Sequence, residues 1–429
     1  MLEAQFRLSE NGTTVRTEIV AGITTFLTMA YIIFVNPAIL GDAGMDRGAV
    51  FVATCLAAAF GSAMMGLVAN YPIALAPGMG LNAYFTYSVV LGLGFTWQQA
   101  LGAVFISGVL FLILSVLPVR EWIINSIPQS LKMAISAGIG LFLGIIGLQA
   151  AGIVVDNPAT LVTLGNLKAP ATILAVLGFF VMVALDRLKV PGAIILAILG
   201  TTAVGIIFGV SEFKGVVSTP PSLAPTFLAM DLAGALEKGL IAIIFTFLFV
   251  DLFDNTGTLI GVAHRAGLIG KDGRIPRLGR ALVSDSSAAM VGAALGTSTT
   301  TSYIESAAGV KAGGRTGLTA VVVALLFLAA LFLAPLATTI PGYATAPALL
   351  YVACLMARGL TEIDWEDATE FVPAVVTAIT MPLTYSIAHG IAFGFISYAA
   401  IKALSGRWRD LNAAVVVLAI AFVVKFAVL

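Results

Sequence analysis

The segment Tyr71-Pro72-Ile73-Ala74-Leu75-Ala76-Pro77-Gly78-Met79-Gly80-Leu81-Asn82-Ala83-Tyr84-Phe85 decides how the rest of the chain is read. It is almost wholly apolar, yet two prolines and two glycines within ten residues deny it a regular helix. Proline removes an N–H donor and crowds the preceding turn, and glycine adds backbone freedom that a helix must give up. A second segment, Gly296-Thr297-Ser298-Thr299-Thr300-Thr301-Ser302-Tyr303-Ile304-Glu305-Ser306, gathers β-branched and hydroxyl side chains, which favour extended backbone before the chain turns helical again. Backbone released from a helix inside a bilayer must face protein, water or a ligand. Two interrupted segments at matching places in two halves of a chain therefore point to a binding site near the bilayer midplane.

Composition supplies the membrane. Of 429 residues, 59% are hydrophobic and 10% charged, against about 25% charged in an average soluble domain. That excludes a soluble globule, and the short loops leave no room for a soluble catalytic domain. The 22 basic and 22 acidic residues cancel, so no basic surface recommends nucleic acid as a partner. Cys55 and Cys354 lie in apolar stretches without ligand-like spacing, which argues against a disulfide or zinc framework. The first residues lack the basic-then-apolar layout of a cleaved signal peptide, so the first apolar segment is expected to stay in the chain.

Apolar runs predict spans near 18–40, 48–69, 72–91, 98–118, 129–152, 169–186, 190–210, 234–263, 279–295, 296–311, 316–340, 343–359, 370–384 and 386–404. A further apolar stretch, 411–429, either crosses or lies against the bundle. With the N-terminus cytoplasmic, basic residues concentrate in the inner segments. Only Arg47, Lys168, Lys214 and Lys238 fall outside or at an outer helix end, and Lys425 lies in the final stretch. The bias follows the positive-inside rule. The outer loop 211–233 divides the spans seven and seven, and an odd number per half inverts the second half. The expected fold is an all-α polytopic membrane protein, fourteen spans as a 7+7 inverted repeat, with the third and tenth spans broken by short extended segments.

Four carboxylates, Asp251, Asp254, Asp285 and Glu305, fall inside predicted spans. Each costs about 2.5–3.5 kcal/mol at bilayer depth, so something must hold them there. Asp251 and Asp254 stand three apart on one helix, and Asn255 and Thr258 extend the same polar side. No lysine or arginine lies deep in these spans, so a structural ion pair lacks its cation. The carboxylates either carry protons or receive N–H donors or a cation from outside. Asn82 follows the break in the third span, where its amide offers both a donor and an acceptor. Tyr303, beside Glu305, can stack on a planar ring, although membrane aromatics commonly only pack. His264 and His389 fall at span ends and read as interfacial.

At residues 76–85, Phe249-Val250-Asp251-Leu252-Phe253-Asp254-Asn255-Thr256-Gly257-Thr258 and residues 296–306, the chain resembles the AzgA-like purine permeases of the nucleobase/cation symporter (nucleobase–ascorbate transporter) superfamily. The likeness covers nearly the whole chain. It implies a core domain of residues 1–118 and 234–341, and a gate domain of residues 119–233 and 342–429. It also implies proton-coupled uptake of adenine, guanine or hypoxanthine across the cell membrane by alternating access. The protein would then be a transporter rather than an enzyme, with no cofactor or metal, protons as coupling ion, and a purine and the lipid bilayer as partners. A homodimer is compatible with it. By motif position, Asp254 and Glu305 match acidic substrate contacts and Asn82 an amide contact, with Tyr303, Ser302 and Ile304 around them. Asp251 and Asp285, with Thr258 and Asn255, match positions expected to support proton coupling. Thr258 departs from uracil and xanthine relatives, which carry histidine or aspartate there, so their proton handling does not transfer. The residues leave two alternatives. An anion carrier of sulfate or bicarbonate type is opposed by Glu305. A prenyltransferase-type enzyme holding magnesium on an Asp-x-x-Asp pair lacks basic phosphate partners at that depth.

Overall fold

The computed structural model describes residues 2–116, 127–236, 238–266, 268 and 276–428, with the side chains of 238, 239, 253, 254, 256, 257, 260, 264, 265, 425 and 428 outside the described ones. Eight helices among the described residues are long and apolar enough to cross a membrane, and four shorter apolar helices accompany them. By contacts the chain forms two compact units, one of Met1–Val116 with Ala150–Ala348, the other of Leu117–Gln149 with Leu349–Leu429.

In the first unit, α1 (Leu2–Phe6) precedes α2 (Val15–Met29) and α3 (Ile32–Asp42), which continue one another through Ala30 and Tyr31. Thr14 caps α2 by accepting the Thr17 N–H at 3.2 Å, which meets one of the donors that every helix start leaves unpaired. After α4 (Arg47–Met64) and a π-helical turn, the backbone breaks into β1 (Leu75–Pro77), α5 (Met79–Ala83) and a π-helical stretch Tyr84–Gly92, before α6 (Trp97–Val116). In the second unit, α7 (Gln129–Ala150) follows. An antiparallel hairpin of β2 (Val154–Asn157) and β3 (Leu161–Leu164) then stands in the first unit, where the sequence reading expected only an outer loop. The β-branched Val154, Val155, Val162 and Thr163 on either side of a short turn favour extended backbone there.

The helices α8 (Pro170–Arg187) and α9 (Ala193–Ile207) pack on one another, and the long loop after them is tied back by backbone bonds from Ser218 to Phe332 and from Leu228 to Ala294. Beyond it, α10 (Lys238–Arg265) and α11 (Leu278–Leu295) lie against α6, and α11 also against α4. The C-cap of α11 is Gly296 at φ +97°, where a Cβ would stand 2.2 Å from Thr226 Cβ. Only glycine fits both the left-handed turn and that contact. The turn sends the chain into β4 (Thr300–Ser302), then α12 (Ser306–Lys311), α13 (Gly317–Ala330) and α14 (Ala334–Thr339). Buried Glu18 of α2 accepts N–H bonds from Arg315 at 2.8 Å, Thr316 at 3.3 Å and Thr319 at 3.2 Å. A carboxylate thus closes the N-terminus of α13, where the helix dipole favours it. An apolar cluster including Met65, Tyr71, Leu75, Leu259, Val262, Leu282 and Val310 packs beside the two broken segments.

The division into units falls within α15 (Gly342–Ala357), and the second unit adds α16 (Ala368–Leu383), α17 (Ile387–Leu404) and α18 (Ala413–Val428). Lys402, almost wholly buried, pairs with Glu370 at 2.6 Å and Asp410 at 3.3 Å, joining the end of α17 to the start of α16 and to the turn before α18. The Thr369 hydroxyl and N–H, with the Arg407 guanidinium, hold the pKa of the half-buried Asp367 carboxyl down to about 2. Asp367 is the N-cap of α16. Within the stretch 411–429, which the sequence leaves open, Ala413–Val428 folds as α18 and runs antiparallel to α17. Asp410 meets Lys402, Phe422 meets Phe395, and Phe426 meets Phe393 and His389.

Candidate functional site

The two broken segments find each other. β1 and β4 pair antiparallel, with Leu75 opposite Ser302, Ala76 opposite Thr301 and Pro77 opposite Thr300. Backbone bonds extend the ladder at both ends, Gly78 N–H to Thr299 O at 2.9 Å and Tyr303 N–H to Ala74 O at 3.0 Å. Every residue of both strands is buried. A pair of strands inside a helical membrane bundle leaves edge groups that only neighbours can satisfy. Two serines do so. Ser62 of α4 accepts the Leu75 N–H at 2.9 Å and donates to the Leu75 carbonyl at 3.1 Å, and Ser306 accepts the Ala74 N–H at 3.0 Å.

Around this ladder stand the side chains singled out in the sequence. Asn82, fully buried, accepts the Ser298 hydroxyl at Oδ1, while its Nδ2 has no partner among the described residues. Ser302 donates to Asp285 Oδ1 at 3.1 Å, which ties β4 to α11. The Tyr303 hydroxyl donates to the Pro77 carbonyl at 2.6 Å, bracing one broken segment on the other. Glu305 is half-buried at the entry to α12 and accepts the Tyr31 hydroxyl at 2.6 Å. Ile304, between them in sequence, is exposed. On α10, Asp251, Asn255 and Thr258 are buried, and neither polar atom of Asn255 has a partner among the described residues. The helix α10 packs against β4, α5 and α12, so this polar side belongs to the same region of the first unit. The side chain of Asp254 lies outside the described residues.

Sequence reading missed Tyr31, Ser298, Ser62 and Asn36. Asn36 donates from Nδ2 to Thr54 at 2.7 Å and Thr297 at 2.8 Å, anchoring the start of the second broken segment to α3 and α4. The signal was faint. Asn36 and Tyr31 are the polar groups of an otherwise apolar run, Tyr31-Ile32-Ile33-Phe34-Val35-Asn36-Pro37.

A multi-pass bundle of apolar helices that gives way, deep inside, to a strand pair edged by carboxylates and amides has the build of a membrane transporter. Its fold is that of a solved carrier: the transmembrane domain of a cyanobacterium bicarbonate transporter, BicA, matches with a TM-score of 0.67 at 16% identity, over 87% of this chain and 96% of that one. Residues 16–393 match the family model Xan_ur_permease, described as a permease family, and the chain belongs to that family. It is 52% identical to the adenine permease AdeP of Escherichia coli, over 99% of this chain and 96% of that protein. It is 46% identical to the guanine/hypoxanthine permease PbuO of Bacillus subtilis, over 99% of this chain and all of that one. Family membership makes the chain a permease and removes the prenyltransferase-type alternative.

Proposed function

We propose that the protein takes up purine nucleobases, adenine, guanine or hypoxanthine, across the cell membrane together with protons. The observation that carries the reading is the buried β1–β4 ladder with Asn82, Asp285 and Glu305 fixed at its edges. A neutral purine presents ring N–H donors and ring-nitrogen or carbonyl acceptors on one plane. Carboxylates accept the N–H groups, and backbone and amide groups meet the remaining edge. Similarity to an adenine permease and to a guanine/hypoxanthine permease supports the same cargo class. A fixed carboxylate at Glu305 repels an anionic cargo, which favours a neutral base over sulfate or bicarbonate.

In this account Asp254 and Glu305 accept the purine N–H groups, with Asn82, Ser302, Tyr303 and Ile304 around the cargo. A proton is taken up by a carboxyl among Asp251, Asp254, Asp285 and Glu305, with Asn255 and Thr258 supporting it. A core of residues 1–118 and 234–341 then shifts against a gate of 119–233 and 342–429, and the N-terminus faces the cytoplasm. Radiolabelled hypoxanthine and adenine uptake, in cells lacking their own purine carriers, tests the reading. Asp254→Asn should abolish proton-driven uptake, or weaken it severely, at normal membrane abundance; uptake at the unsubstituted rate would refute the assignment.

A further inference from the structure

Tyr31 sits where α2 passes into α3, and the backbone tightens there: Ile33 N–H bonds to Ala30 O at 3.1 Å and Phe34 N–H to Tyr31 O at 3.0 Å. The ring is fully buried. A phenol O–H enclosed in this way needs an acceptor, and in hydrocarbon surroundings water does not supply one. The acceptor is Glu305 Oε1, at 2.6 Å. A second residue of the same span, Thr28, places its hydroxyl 3.4 Å from the Glu305 backbone carbonyl. The close approach that allows both contacts is made by Gly309, where a Cβ would lie 2.0 Å from Thr25 Oγ1 and 2.6 Å from the Ala21 carbonyl oxygen. The first span therefore grips the residue with which the second broken segment re-enters helix.

A carboxylate on a three-bond side chain has several rotamers, and holding a ligand in one geometry requires that these be reduced to one. A strong bond at Oε1 narrows them, because it holds one oxygen of the planar carboxylate against Tyr31 and limits where the other can point. A charge-assisted O–H bond is among the stronger hydrogen bonds available. We propose that Tyr31 is a positioning residue for cargo recognition: its hydroxyl pins one oxygen of Glu305, so that the carboxylate meets a purine ring N–H at a fixed bearing. The proposal rests on the purine reading of the site. It requires no contact between Tyr31 and the cargo.

Tyr31→Phe removes the hydroxyl and keeps the ring, so packing is nearly unchanged. The test compares hypoxanthine binding to the purified full-length protein by calorimetry, the KM and maximal rate of uptake, and the thermal unfolding midpoint. Tyr31→Phe should raise Kd and KM about tenfold, which corresponds to about 1.4 kcal/mol. The maximal rate should change less than twofold, and the midpoint should fall by no more than the few degrees that one lost hydrogen bond costs. Unchanged Kd and KM would overturn the proposal. A fall in the unfolding midpoint larger than one hydrogen bond accounts for, accompanying the loss of binding, would overturn it too, by making Tyr31 a packing residue. An unsubstituted protein that bound neither hypoxanthine nor adenine would defeat the purine reading itself, and the proposal with it.

Discussion

Gly309 shows how little space the site's framework leaves. Its neighbours Thr25 and Ala21 stand closer to the position of a Cβ than side chains tolerate, so Gly309→Ala should force α12 away from α2. Overpacking of this kind costs about 1–3 kcal/mol. The thermal unfolding midpoint in detergent should fall, and purine uptake should fall with it, since Glu305 rides on the entry to α12; an unchanged midpoint would mean that the two helices separate freely. At this scale the sequence was readable wherever a polar group stood alone among apolar ones. Asn82 is of that kind, Asp285 and Glu305 are charged groups beside serines within otherwise apolar spans, and all three stand around the ladder. Tyr31 was not readable, because a tyrosine in an apolar span looks like packing and its partner stands 274 residues away. Nor was the bracing role of Tyr303, which as a sequence feature suggested ring stacking but whose hydroxyl is bonded to Pro77.

Among elements, the interruptions were legible and their pairing was not. Proline and glycine in 71–80, and hydroxyl residues in 297–302, announce backbone that cannot stay helical. Nothing local states that Ala76 will lie opposite Thr301, because that register is set by the packing of α4 and α11 around both strands and of α10 on β4. The final helix was ambiguous for a physical reason. Its 16 residues span about 24 Å at 1.5 Å each, short of the roughly 30 Å hydrocarbon core. Its contacts run antiparallel along α17, an apolar helix of spanning length, and we propose that α18 crosses beside it. In a variant without Cys55 and Cys354, cysteines introduced as Ser405→Cys and Ala427→Cys should be labelled by an impermeant maleimide from opposite sides of the membrane. Labelling of both from one side would instead lay α18 along the surface.

For the molecule as a whole, composition alone fixed the solvent: 59% hydrophobic and 10% charged residues in 429 belong in a bilayer, and the fold matches a bicarbonate transporter's transmembrane domain with little sequence in common. Shared architecture at 16% identity carries no cargo with it. At the ladder's edge this chain carries carboxylate and amide groups, which in the proposed function meet a neutral, hydrogen-bonding heterocycle. In the proposed function such a cargo moves with protons. Purified protein reconstituted in liposomes, given radiolabelled hypoxanthine or adenine and an imposed proton gradient, tests it most directly. Accumulation of the labelled base above its external concentration, abolished by a protonophore and competed by unlabelled purines, is the predicted result. Entry that only equilibrates, unaffected by the gradient, would contradict the claim.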